Sequence, residues 1–156
     1  WAFFAQFILL ILMFVGSMGG STGGGMKIVR VMLILKYAAL ETRRMLHAKA
    51  IIPIRIGEKY ISGDVIRNTL GFFLFYIFIF VFTSFFLTTL NIDLKSSMGV
   101  AASALGNIGP ALGQFGPTNN YALMPDVGKW LLTFCMLLGR LEIFTVVVLF
   151  SRTFRR

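Results

Sequence analysis

Arg140 stands in Gly139-Arg140-Leu141-Glu142, within a largely apolar run from Trp130 to Ser151. An ionisable side chain at membrane depth faces a bundle interior or a watery cavity and takes a partner there. Glu142 is two residues away and does not share its helix face. Arg140 is therefore expected to look into a pathway, as an electrostatic barrier to cations and a donor to loop carbonyls. The plainer alternative is a structural ion pair with a carboxylate elsewhere. Two glycine-rich breaks supply the other chemistry. Gly106-Asn107-Ile108-Gly109-Pro110-Ala111-Leu112-Gly113 follows a short apolar segment. A cation pathway needs inward-turned carbonyl oxygens to replace the ion's hydration shell. Glycine tolerates the φ values that aligned carbonyls require. An ordinary turn between helices is the competing account.

The second break, Gly16-Ser17-Met18-Gly19-Gly20-Ser21-Thr22-Gly23-Gly24-Gly25, lies between apolar runs. Non-helical backbone at membrane depth persists where it lines a cavity or is buried in protein. Small residues permit a hinge, and Ser17, Ser21 and Thr22 offer hydrogen bonds to freed backbone groups. A helix-packing motif would keep glycines four apart on one face. Three consecutive glycines, Gly23 to Gly25, weaken a helix instead. A nucleotide P-loop is excluded, because Met26 occupies the position after Gly25 where its lysine belongs, and a long apolar helix precedes. Cys135 and His47 are each the only residue of their kind, so the chain alone builds neither a disulfide nor a zinc site.

These groups need membrane elements to position them. The chain has 156 residues, 57% of them hydrophobic, with 17 Phe and a mean hydropathy of +0.82. Soluble domains are usually about 45–50% apolar. The net charge of +9 does not indicate nucleic acid, because the basic residues cluster between apolar spans as cytoplasmic flanks do. Trp1 stands first and no basic segment precedes the apolar run, which fits a signal peptide poorly. The expectation is an internal stretch of a longer protein.

Residues 2–15 are uncharged and too short to cross, since a span needs about 20 apolar residues. Lys27, Arg30 and Lys36 interrupt the next apolar segment, which ends in Glu41, Arg43 and Arg44. A charge at mid-bilayer costs roughly 2.5–3.5 kcal/mol on insertion scales. In one layout residues 2–15 form a re-entrant half-helix, which would strand those three basic residues in the bilayer. In the preferred layout residues 2–15 and 27–47 are halves of one inward helix interrupted by Gly16–Gly25. Trp1 then anchors at the outer interface. Residues 49–67 read as a cytoplasmic linker with strand-like alternation at Ile52, Ile54 and Ile56. Asn68 to Asn91 is an uncharged outward crossing. Ser97 to Leu105 is a half-helix with Asp93 near its N-terminus. Gln114 to Asp126 is an outer loop rich in turn residues. Trp130 to Ser151 returns inward to Arg152, Arg155 and Arg156. The fold class is an all-α membrane protein.

Three segments, Gly19-Gly20-Ser21-Thr22-Gly23-Gly24-Gly25-Met26-Lys27, Asn107-Ile108-Gly109-Pro110 and Gly139-Arg140-Leu141-Glu142-Ile143-Phe144-Thr145, carry a family resemblance. Together they resemble the membrane subunit of the Trk/Ktr/HKT potassium transporter superfamily, most closely its bacterial Trk type. The likeness covers essentially the whole chain. It implies four linked helix–pore-loop–helix units around one K+ pathway in the bacterial cytoplasmic membrane. Residues 1–48 would be the inward helix of the third unit and 68–156 the complete fourth, the remaining units lying elsewhere in the protein. The resemblance implies K+ coordination at Asn107 and Ile108, with Gly109 completing that filter segment. It implies gating by Gly19, Gly20, Ser21, Thr22 and Gly23 together with Arg140. Expected partners are the lipid bilayer, a second copy in a homodimer, and a cytosolic nucleotide-binding regulatory subunit. Regulator contacts are expected at the cytoplasmic segments 49–67 and 152–156. K+ is the implied cargo, with no organic cofactor and no covalent chemistry. The rivals are a secondary transporter of another class with broken helices, and a non-transporting scaffold.

Overall fold

The computed structural model describes residues 3–16, 24–46, 55–56 and 59–141. Its helices are α1 (Phe3–Phe14), α2 (Ile28–Leu46), α3 (Gly63–Thr89), α4 (Leu94–Gly106) and α5 (Asp126–Arg140). One small antiparallel pair, β1 (Arg55–Ile56) with β2 (Lys59–Tyr60), precedes α3. The fold is all-α apart from that pair. Ile52 and Ile54 lie outside the described residues.

α3 has 27 residues, about 40 Å at 1.5 Å per residue. Its most apolar 18-residue window has a mean hydropathy of 2.4, and no other described helix is both long and apolar enough to cross a membrane. Apolar side chains cover both faces of the helix, with Ile66, Phe72, Ile79, Phe80 and Leu87 buried. Phe75, Phe78, Phe82 and Phe85 are exposed, while Thr69, Tyr76, Thr83 and Ser84 are on the buried face. Lipid favours that distribution, since aromatic and aliphatic side chains need no shelter from hydrocarbon and polar groups do. Thr69 donates to the Val65 carbonyl at 2.8 Å, and Thr83 pairs with the Cys135 thiol at 3.2 Å.

α3 begins five residues before the uncharged run that starts at Asn68. Its polar first turn is helical because Asp64 and Arg67 pair at 2.9 Å, three residues apart on one face, and both are exposed. Asp64 also sits where the helix dipole favours an acid. At the other end, Leu90 N–H closes on the Leu87 carbonyl and Asn91 takes a positive φ of 61°. That left-handed residue turns the chain straight into α4.

α4 is the helix the others pack around. It is only 13 residues long, about 20 Å, two-thirds of a hydrocarbon core of about 30 Å. Asp93 caps it by accepting from Ser96 N at 3.3 Å. Because Lys95 and Ser96 also adopt helical geometry behind that cap, α4 starts at Leu94, ahead of Ser97. Gly99, Val100, Ala101, Ala102, Ser103, Ala104 and Leu105 are all buried. Their small size lets α3, α5 and α1 approach the same short helix from different sides. A β-carbon on Gly99 would lie 2.7 Å from Leu112 Cβ, so only glycine lets the returning loop press against α4.

α2 and α1 follow α3 in antiparallel order. Leu40 and Leu33 cluster with Ile66, the Arg30 guanidinium lies 4.2 Å from the centre of the Phe72 ring, and Phe14 meets Tyr76 and Phe80 edge-on at 6.0 and 4.7 Å. Between them the chain leaves and returns at nearly one point. Val15 and Met26 form a parallel bridge, with Gly16 N donating to the Met26 carbonyl at 2.8 Å.

Candidate functional site

The C-terminal end of α4 builds the site. Asn107 N–H donates to the Ala104 carbonyl at 3.2 Å and Ile108 N–H to the Ser103 carbonyl at 3.0 Å. This Schellman pattern needs a left-handed residue after the helix, and Asn107 supplies it with φ 53° and ψ 41°. Gly109 follows with φ 102°. Two positive-φ residues therefore flank Ile108, where the sequence places the carbonyl-bearing segment. The Asn107 side chain points away from that segment, its Nδ2 donating to the Met136 carbonyl of α5 at 3.1 Å. The Gly109 carbonyl accepts from the Tyr121 hydroxyl at 2.9 Å.

Gly139 of α5 crosses against this turn. A β-carbon there would collide with the Leu105 carbonyl oxygen and lie 2.9 Å from Asn107 Nδ2. Gly24, at the returning end of the first glycine break, makes a similar approach, since its β-carbon would fall 3.0 Å from Asn107 Cβ. Gly25, with φ 80°, lies against Gly106, and Gly106 in turn faces the Met13 carbonyl. The two glycine breaks of the sequence thus meet in space, although more than 80 residues separate Gly24 from Asn107.

At their junction lies an open cavity of about 380 Å³ lined by Met13, Val15, Gly16, Gly24, Gly106, Asn107, Ile108 and Arg140. α1 and α4 both deliver their C-terminal ends to it through Val15 and Gly106. Each such end carries partial negative charge, near half a unit, from its terminal carbonyls. The field at the cavity therefore favours positive charge, and Arg140 is the cationic residue among the described residues that line it. A small monovalent cation and Arg140 would compete for the same potential. Among the described residues no group of three His, Cys, Asp or Glu side chains forms a metal-binding cluster.

Of the residues singled out in the sequence, Asn107, Ile108 and Arg140 converge on this cavity and Gly109 continues from it. Gly19, Gly20, Ser21, Thr22 and Gly23 lie outside the described residues, as do His47, the segment 49–54 and residues 142–156 with Glu142. Arg140 is the last residue of α5 as described, and Leu141 N–H still donates to the Leu137 carbonyl at 3.0 Å in the helical pattern. The rest of the run expected to continue to Ser151 lies outside the described residues. Trp130, 76% exposed, sits toward the N-terminal end of α5.

Sequence reasoning quoted Gly139 without a packing role and passed over Tyr121, Phe115 and Ser96. Gly139 carried a legible signal, since Cys135 and Gly139 stand four apart and let backbones approach. The others act through a loop with no periodicity. Ser96, fully buried, accepts from Gln114 N–H at 3.0 Å, Ala111 N–H donates to the Phe115 carbonyl at 3.1 Å, and the Phe115 and Tyr121 rings stack 5.3 Å apart.

A half-helix ending in left-handed backbone, a second glycine-rich segment meeting it, and a cavity beside two helix C-termini and an arginine are the features of a helical membrane protein. Comparison with known proteins agrees. The family model described as TrkH, cation transport protein, matches residues 1–155. The Trk system potassium uptake protein TrkH of Halomonas elongata is 39% identical over all 156 residues, and that of Escherichia coli K12 is 35% identical over the same span. The Trk system potassium uptake protein TrkG of E. coli K12 is 34% identical over 95% of the chain. The crystal structure of the potassium transporter TrkH from Vibrio parahaemolyticus superposes with a TM-score of 0.88 at 36% identity, covering the whole chain and 33% of its counterpart. The chain belongs to this TrkH cation transport family, which is a transport family and not an enzyme family. It spans about a third of the length of these relatives: 32% of the two TrkH sequences and 30% of TrkG.

Proposed function

We propose that this chain forms part of a K+ uptake pathway in the bacterial cytoplasmic membrane, with Asn107, Ile108 and Gly109 as one segment of a carbonyl-lined filter. The observation that carries the reading is the pairing of positive φ at Asn107 and Gly109 with the C-terminal end of α4 behind them. Left-handed residues on either side of Ile108 turn peptide groups into orientations a helix or strand does not offer. The α4 dipole then adds negative potential at the same point. Backbone carbonyls of Asn107 and Ile108 would replace water around K+ as it passes. Relatives named as potassium uptake proteins support K+ as the cargo.

The loop between Gly16 and Gly25, with Arg140, acts as the gate. Its ends meet at the Val15–Met26 bridge directly beside Gly106 and Asn107, which puts any movement of the loop next to the filter's base. Arg140 lines the cavity there and opposes cation entry until the loop shifts. The packing of α2 and then α1 along α3 supports reading them as two halves of one inward helix. Trp1 lies outside, and the linker and C-terminus lie in the cytoplasm. A second copy and a cytosolic nucleotide-binding regulator complete the assembly, with segments 49–67 and 152–156 facing the regulator. The full-length protein is expected to restore growth of a K+-uptake-deficient bacterium at low external K+. Absence of rescue despite membrane expression would instead favour a transporter of another class.

A further inference from the structure

Gly109 has an unusual need. Its φ of 102° excludes side chains, and a β-carbon there would meet nothing within 4 Å. The Tyr121 hydroxyl, twelve residues further along, donates to the Gly109 carbonyl at 2.9 Å and so ties this peptide to the outer loop. Resting on the reading of Asn107–Gly109 as a filter segment, we infer that Tyr121 is a positioning residue for ion selection: its hydroxyl fixes the orientation of the Gly109 carbonyl and so sets how sharply the filter separates cations by size.

Tyr121 is itself held. Its ring stacks on Phe115, with an interplanar angle of 12°, and Phe115 is only 5% exposed. The Phe115 carbonyl takes the Ala111 N–H, and the neighbouring Gln114 N–H is anchored to the buried Ser96 hydroxyl on α4. Tyr121 also closes a turn by accepting from Met124 N–H at 3.1 Å. The brace thus runs from the start of α4, through the outer loop, to the filter backbone, bypassing the filter's own irregular chain. Burial pushes the Tyr121 phenol above its usual range, and the Ser103 hydroxyl offsets part of that rise. The group stays protonated, and so remains a donor, at physiological pH. A tethered carbonyl keeps the spacing suited to one ion, whereas one free to turn can close on a smaller ion.

Tyr121→Phe keeps the ring and its stack but removes the donor. In the full-length protein, reconstituted in liposomes, K+ over Na+ discrimination is expected to fall about two- to tenfold, the range set by one net hydrogen bond. Melting temperature should fall by no more than the loss of one hydrogen bond explains, while the K+/Na+ ratio changes; a merely structural role would lower stability and leave the ratio of the folded protein as it was. Unaltered K+/Na+ and K+/Rb+ ratios in a well-folded Tyr121→Phe protein would overturn the inference. Should that variant fail to reach the membrane, Phe115→Leu removes the stacking partner and is expected to shift the ratios the same way; unchanged ratios there also overturn it. Gly109→Ser separates the two levels. If Gly109→Ser alters the ratios and Tyr121→Phe does not, only the brace falls. If neither does, the filter assignment falls with it.

Discussion

Replacing Gly139 by alanine adds one methyl group where α5 crosses the end of α4. Its β-carbon would lie 2.9 Å from Asn107 Nδ2 and closer still to the Leu105 carbonyl oxygen. Non-bonded heavy atoms rest comfortably near 3.5 Å, so the helices must part by about 0.6 Å on the first contact and by more on the second. Neither neighbour is a flexible chain end: one is backbone, and the other is an amide fixed by its bond to the Met136 carbonyl at 3.1 Å. Parting α5 from α4 carries Met136 away with it and stretches that bond toward 3.6 Å or beyond, where it no longer counts as one. Overpacking costs about 1–3 kcal/mol. The lost hydrogen bond adds about 0.5–1.5 kcal/mol, for a sum of about 1.5–4.5 kcal/mol. Asn107→Gly isolates the second part, because it keeps the left-handed backbone and loses only the side chain. Thermal unfolding of the full-length protein in detergent reads the stability loss, and ion flux in liposomes reads the filter. Gly139→Ala should melt clearly lower than Asn107→Gly, and both should discriminate less sharply between K+ and Na+. A Gly139→Ala protein with the original melting temperature and discrimination would refute the close crossing and the support it gives to Asn107.

Arg140→Ala, or deletion within Gly19–Gly25, should raise or deregulate K+ flux, because each removes a part of the barrier below the filter. Unchanged flux in well-expressed variants would count against the gate. Asp93→Ala removes the cap that accepts from Ser96 N–H and should cost about 1 kcal/mol in thermal or denaturant stability.

The large elements were legible in the sequence for simple reasons. α3 contains an uncharged apolar run from Asn68 whose length fits a bilayer, and Asp93 ahead of a small-residue stretch marks the N-terminus of a half-helix. The breaks at Gly16–Gly25 and Gly106–Gly113 were visible because glycine is costly inside apolar helices. Arg140 stood out as a charge among apolar neighbours. Boundaries were less legible: the first turn of α3 is polar yet helical, stabilised by a pair between Asp64 and Arg67 that hydropathy does not register. The left-handed residue after α4 is Asn107, where glycine would have been the simpler guess. The meeting of Gly24 with Asn107 depends on how α1 and α2 pack along α3, which no local pattern encodes. The Tyr121 brace depends on the path of an outer loop built from Gly, Pro and Asn turns, and periodicity says nothing about such a path.

The central claim is that carbonyls of Asn107 and Ile108 coordinate the transported ion. Crystals of the full-length protein grown with Tl+ in place of K+ test it directly, because Tl+ resembles K+ in size and charge and scatters anomalously. The expected result is an anomalous peak on the pathway axis within coordination distance of the Asn107 and Ile108 carbonyl oxygens, reduced by excess K+ and lost in Gly109→Ser. A pathway occupied by Tl+ elsewhere, with no peak beside those two carbonyls, would contradict it.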